Sequence, residues 1–125
     1  MAPEVALNQP YNEKVDMYSY AIILYEIITG HPPFDGYNKA KLYKEAVHKG
    51  ARPSLDYDEY GRKLTIRPQI QTIIAQCWDP FAVNRFSAEQ VYDIILEEEE
   101  IAAAVVPTRR ESFIHSIFGR PKDLI

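Results

Sequence analysis

The densest apolar stretch of the chain runs from Met17 to Ile28, where Met17, Tyr20, Ala21, Ile22, Ile23, Leu24, Tyr25, Ile27 and Ile28 would occupy nearly every face of a helix. Asp16 can cap such a helix, its carboxylate accepting from the free amides of the first turn. Gly30 can end it, because glycine takes the left-handed conformation that helix termini favour. These ends and the length between them predict a helix over Val15 to Thr29, rather than a strand through Ile22-Ile23-Leu24-Tyr25. A helix that is apolar all round needs cover all round.

The elements that follow are shorter. His31-Pro32-Pro33-Phe34 breaks the chain, two prolines imposing extended backbone. Asn38 to Lys49 reads as a more exposed helix with Leu42, Tyr43 and Ala46 as its apolar stripe and Gly50 as its stop. Residues 52–65 carry Pro53, Gly61 and no helical period, which predicts a loop. Pro68 suits the first turn of a helix from Gln69 to Trp78, with Ile70, Ile73, Ile74 and Cys77 on one face. After a loop from Asp79 to Arg85, Ser87 and Gln90 have the spacing of a capping box. Val91, Ile94, Ile95 and Ile101 carry the helical period onward to about Ala104. The run Glu97 to Glu100 reads as a solvated helical face. Pro107 ends regular structure, and Thr108 to Ile125 reads as a flexible tail. With no strand-like alternation and no internal repeat, the fold class is mainly α: one helical domain over residues 1–105 and a tail over 106–125.

Composition narrows the functions. A formal net charge of −4 lacks the basic stripe that nucleic-acid binding needs. Cys77 is the only cysteine, which excludes a disulfide framework and a Cys-based zinc site. His31, His48 and His115 fall at unrelated spacings, so no metal site is assigned. The five glycines are isolated and form no phosphate-cradling loop, and there is no nucleophile elbow. No secretory signal is visible, and Ala21 to Ile28 is far short of the ~20 residues that span a bilayer. The expectation is an intracellular, cytoplasmic chain with neither nucleic acid nor membrane as partner.

Four motifs then occur in order: Met1-Ala2-Pro3-Glu4; Asp16-Met17-Tyr18-Ser19-Tyr20; Thr29-Gly30 leading to Pro33-Phe34; and Cys77-Trp78-Asp79-Pro80 leading to Arg85. In this arrangement the chain resembles the C-terminal part of the large lobe of a eukaryotic protein kinase, an incomplete portion that starts at the Ala-Pro-Glu motif. The resemblance implies that Glu4 pairs with Arg85, a structural pair in which the planar guanidinium holds the carboxylate through two bonds. It implies that Asp16 opens the central helix and, in a complete kinase, accepts from the backbone of the catalytic loop. Trp78, with Cys77 and Asp79-Pro80, is most similar to the tyrosine-kinase-like branch of serine/threonine kinases and to the tyrosine kinases, as are Tyr43 to Val47 and Gly50-Ala51-Arg52-Pro53. Serine/threonine specificity is favoured over tyrosine. Ala21 and Phe86 depart from the family pattern of glycine and proline.

What binds nucleotide and transfers phosphate lies upstream of Ala-Pro-Glu in that family. The resemblance therefore assigns no catalytic, cofactor-binding or metal residue here, although ATP and magnesium are implied for the full-length family. The chain is expected to be inactive alone, whether through genuine truncation or an internal methionine taken as the start. The alternative is a non-catalytic interaction module derived from a kinase lobe. Expected partners are a protein substrate or regulator at the Asn38 to Lys49 helix, and the missing lobe or a chaperone over the central helix. Arg109-Arg110-Glu111-Ser112 has the form of a basophilic phosphorylation site at Ser112.

Overall fold

The computed structural model describes residues 1–105. They form five α-helices: α1 (Pro3–Ala6), α2 (Lys14–Thr29), α3 (Lys39–Leu42), α4 (Pro68–Cys77) and α5 (Ala88–Val105). A π-helical turn, Tyr43–His48, continues α3, and a 3-10 turn spans Ala82–Asn84. No strand occurs among the described residues, only an isolated antiparallel bridge between Tyr57 and Lys63. The chain is thus mainly helical, as its pattern predicts. It divides into two compact units, Met1–Val91 and the part from Tyr92 onward. Among the described residues, the second unit is the remainder of α5.

In the first unit the core forms where α2 packs on α4. Ala21 of α2 and Ile73, Ile74 and Cys77 of α4 are completely buried, and Met17, Tyr18, Tyr25, Ile66, Trp78 and Val91 surround them. Each of these side chains stabilises the fold by ~1.5–3 kcal/mol when fully withdrawn from water, less for alanine. The methyl of Ala21 is accommodated with no exposure at all.

The helix ends follow local chemistry. Gly30 closes α2 at φ +75°, its N–H donating to the Glu26 carbonyl at 2.8 Å. Pro68 opens α4 where its missing N–H is not needed. At the start of α5, Gln90 N–H donates to Ser87 Oγ at 3.1 Å while Ser87 N–H donates to Gln90 Oε1 at 2.8 Å, a reciprocal capping box.

Three elements differ from the sequence expectation. Asp16 is not the cap of α2. The helix begins at Lys14, and Lys14 N–H donates to Asn12 Oδ1 at 3.0 Å, so Asn12 satisfies the first turn and Asp16 falls inside it. The Asn38 to Lys49 helix is not uniformly α: Asn38 caps it by accepting from Lys41 N–H at 2.8 Å, but from Tyr43 the backbone widens into the π turn. That turn leaves the Glu45 and Ala46 carbonyls to Ala51 N–H and the Arg52 side chain instead of to the helix ladder. It turns Ala46 into the core while Leu42 and Tyr43 are exposed. Short α1, opened by Pro3, has no apolar period of its own and was not foreseen.

Cover for α2 is incomplete. Ile23 is 55% exposed and Ile27 73%, with Ile28 also exposed and Tyr20 and Leu24 half-buried. Thus α2 is apolar all round but covered on one side only within residues 1–105. Exposed isoleucines at i and i+4 form a continuous apolar strip, the kind of surface that binds hydrophobic dye and other proteins. Replacing both with lysine should lower dye fluorescence sharply and leave the urea midpoint nearly unchanged, because exposed substitutions shift stability by no more than about 0.5 kcal/mol. Unfolding of the Ile23→Lys/Ile27→Lys variant would show instead that this face is buried in solution.

Candidate functional site

Arg85 is the largest fully buried side chain among the described residues, with no exposure of its guanidinium. An arginine has five N–H donors in a rigid fork, and each of the five has an acceptor. Nη1 donates to Glu4 Oε1 at 2.6 Å and to the Lys14 carbonyl at 3.1 Å. Nη2 donates to Glu4 Oε2 at 2.8 Å and to the Pro80 carbonyl at 3.5 Å. Nε donates to the Asp79 carbonyl at 2.9 Å. Lys14 returns the contact, its ammonium donating to the Arg85 carbonyl. One side chain thereby joins α1, the start of α2 and the loop after α4. The parallel pair to Glu4 is the fork–fork geometry that lysine cannot reproduce.

A second arginine supports the first. Arg52, in the loop after the π turn, donates from Nε to the Trp78 carbonyl at 2.8 Å and from Nη1 to the carbonyls of Ala46 at 3.0 Å and Ala51 at 2.7 Å. Both guanidiniums lie over the buried Tyr18 ring, Arg85 at 5.1 Å and Arg52 at 5.3 Å from its centroid. Desolvation, partly offset by Tyr18, pulls the Arg52 pKa down, and repulsion from Arg85 adds to the fall. Burial likewise pushes the Tyr18 phenol up. Trp78 completes the layer, buried with its ring 5.7 Å from that of Tyr25.

Of the residues singled out from sequence, the structure brings Glu4, Arg85 and Trp78 into one connected region. Asp16 lies outside it, exposed, its N–H donating to the Glu13 carbonyl and its carboxylate making no hydrogen bond or ion pair. Ser112 lies outside the described residues. Arg52 belongs to the family-like pattern Gly50-Ala51-Arg52-Pro53, and the sequence assigns it no role. Its signal in the sequence is an arginine directly before Pro53, where the extended backbone imposed by proline aims a long side chain back across the domain. An apolar cavity of about 540 Å³ lies between α2, the Pro32–Phe34 breaker and the α3–π segment, with Tyr18, Ile22, Phe34, Leu42 and Val47 among its walls. Among the described residues no group of His, Cys, Asp and Glu is placed to hold a metal ion.

The Glu4 carboxyl is held below its ordinary value of 4.5, first by the Arg85 hydrogen bonds, with burial opposing and a backbone hydrogen bond and the Arg85 charge adding. A carboxyl depressed in the folded state contributes stability that is fully present above its unfolded pKa and is lost as pH falls through the folded one. Urea midpoints should therefore hold steady down to about pH 5 and fall below it, and Glu4→Gln should flatten that fall. Removing Arg85 leaves a buried carboxylate unpaired and should cost about 3–5 kcal/mol, a large share of a typical ~5–15 kcal/mol total. Arg85→Ala should then lower the urea midpoint severely or abolish the cooperative transition, with Arg85→Lys only partly better. A cooperative transition for Arg85→Ala at the parent midpoint would refute this.

Comparison with known proteins agrees with this arrangement. The model of the protein kinase domain matches residues 1–94. A dual specificity protein kinase, shkD, of Dictyostelium discoideum is 35% identical over 92 residues, covering 73% of this chain and 11% of that protein. The serine/threonine-protein kinase VIK of Arabidopsis thaliana is 38% identical over 79 residues, 63% of this chain and 16% of its own length. Mitogen-activated protein kinase kinase kinase 7 of Drosophila melanogaster is 33% identical over 98 residues, 78% of this chain and 13% of its length. The chain therefore spans between about a tenth and a sixth of these relatives. With Glu4 of an Ala-Pro-Glu motif clamped by Arg85 and a family match running through the whole first unit, the chain belongs to the protein kinase domain family.

Proposed function

We propose that residues 1–105 form the helical base of a protein kinase large lobe, of serine/threonine type, and that this base does no phosphoryl transfer by itself. The complete enzyme would move the γ-phosphate of ATP to a hydroxyl of a protein substrate. The observation that carries the reading is the Glu4–Arg85 clamp, which anchors the Ala-Pro-Glu end of an activation segment to the base of the lobe. Two further features support it. The unengaged carboxylate of Asp16 is available to hold the backbone of a catalytic loop, and the bare Ile23 and Ile27 strip offers that part of the lobe an apolar seat. The three relatives are all protein kinases, which supports the class of reaction.

The residues present do not fit nucleotide. Phosphoryl transfer requires backbone and a lysine around the phosphates, acidic groups on magnesium, and a residue orienting the acceptor hydroxyl. Gly30, Gly36, Gly50 and Gly61 each sit singly at a positive φ in a turn or helix end, and none is part of a phosphate cradle. A second role rests on the exposed Leu42 and Tyr43 of the α3–π segment, which suit the docking of a protein substrate or regulator.

The test is calorimetric titration of the purified chain with Mg-ATP, alongside phosphate incorporation into a generic protein substrate. Neither binding nor incorporation is the expected result. Saturable micromolar binding of ATP would contradict the proposal.

A further inference from the structure

The loop after Arg52 carries a small hairpin whose chemistry is separate from the clamp. Tyr57 and Lys63 bridge its arms, Asp58 N–H donates to the Arg62 carbonyl at 2.8 Å, and Gly61 turns its tip at φ +77°. The Asp58 carboxylate organises that tip. Its Oδ1 accepts from Tyr60 N–H at 2.9 Å and Arg62 N–H at 2.7 Å, and its Oδ2 accepts from Arg62 Nε at 2.8 Å. Tyr60 stands at the apex, 66% exposed. Arg62 lies 5.3 Å from its ring centroid and His31 meets the ring edge-on at 6.0 Å.

We propose that Tyr60 is a phosphorylation site for a separate, acid-directed protein-tyrosine kinase, and that the phosphate draws Arg62 away from Asp58 and loosens the hairpin. Asp56, Asp58 and Glu59 supply three acidic residues directly before the acceptor, the flank that a basic substrate groove recognises. The phenolic oxygen attacks the γ-phosphorus of ATP, the bond to the β,γ-bridging oxygen breaks, ADP leaves, and the phenolic proton passes to the modifying kinase. The other highly exposed tyrosines lack this setting: Tyr92 is inside α5, Tyr11 has only Glu13 nearby in sequence, and Tyr57 is held in the bridge with Asp56 as the one acidic residue among the four before it. The hairpin is short, held by the Asp58 carboxylate and three backbone hydrogen bonds (Asp58 N–H to the Arg62 carbonyl, Gly61 N–H to the Asp58 carbonyl and Leu64 N–H to the Asp56 carbonyl), and an exposed element of this size opens locally as entry into a kinase cleft requires.

Modification adds about −1.5 to −2 charges beside Asp58 and Glu59, with Arg62 and His31 the nearest cationic or protonatable groups around the ring. A phosphate dianion is the stronger acceptor for Arg62, so the guanidinium changes sides and Asp58 is left facing like charge.

The experiment incubates the intact chain with Mg-ATP and an acid-directed tyrosine kinase domain, then maps phosphate by mass spectrometry. Tyr60 should be modified roughly tenfold faster than Tyr11 or Tyr92, and Tyr60→Phe should abolish that signal with an unchanged circular dichroism spectrum. Even modification of all exposed tyrosines, or none at Tyr60, would overturn the assignment. Amide exchange at Tyr60 and Arg62 reads the second step: it should accelerate in the phosphorylated chain and not in Tyr60→Phe. Unchanged protection after phosphorylation would overturn the hairpin switch.

Discussion

A guanidinium withdrawn completely from water is tolerable only if every donor it carries is met, and Arg85 meets that condition with Glu4 and three backbone carbonyls. The acceptors come from segments about 80 residues apart in the chain, so the requirement to satisfy one charge fixes where α1, the start of α2 and the Asp79-Pro80 loop lie. Removing either partner of such a pair is far more damaging than the net worth of the pair, because the other charge stays buried. Arg52 follows this rule only in part, since its Nη2 is buried without a hydrogen-bond partner. The second guanidinium occupies the Trp78 and Ala46 carbonyls, and the Tyr18 ring lies against both cations. The polar layer is thus continuous with the apolar one made by Ala21, Ile73, Ile74 and Cys77.

Much of this was legible in the sequence, and the reasons are local. Gly30, Pro68 and the Ser87–Gln90 box mark helix ends through backbone geometry and hydrogen bonding within four residues, and each marks an end in the structure. The Glu4–Arg85 pairing was expected only from the resemblance to a kinase lobe, since nothing in the chemistry of two charges 81 residues apart dictates it. Asp16 was misplaced as a cap because Asn12, just upstream, competes for the same first-turn amides and takes the Lys14 N–H. The π turn was not legible. Its cause is tertiary: Arg52 and Ala51 take carbonyls that an α-helix would have kept. Helix α1 was hidden for a similar reason, since Pro3-Glu4-Val5-Ala6 is held by the clamp rather than by any hydrophobic period.

The link from fold to function runs through α2. Its buried side builds the core with α4, while its other side presents Ile23 and Ile27 to water. In a chain of the protein kinase domain family, this helix joins two tasks, carrying the clamp at its start and offering an apolar strip along its length. The clamp is rigid because it is buried and fully bonded. The strip is available because nothing among the described residues covers it. On the proposed reading, that contrast suits a base on which a catalytic half of a lobe would rest.

The most direct test of the clamp's central place is a double-mutant cycle on Glu4 and Arg85. Glu4→Gln, Arg85→Met and the double variant would be compared with the parent by urea unfolding under conditions where all four fold, with a stabilising osmolute if needed. Residues in direct contact within one network couple by about 0.5–3 kcal/mol, and a buried bidentate pair belongs at the upper end. The account predicts that the double variant is clearly more stable than the sum of the single losses implies. Additive losses, with coupling near zero, would mean that Glu4 and Arg85 act independently and that the fold does not depend on their pairing.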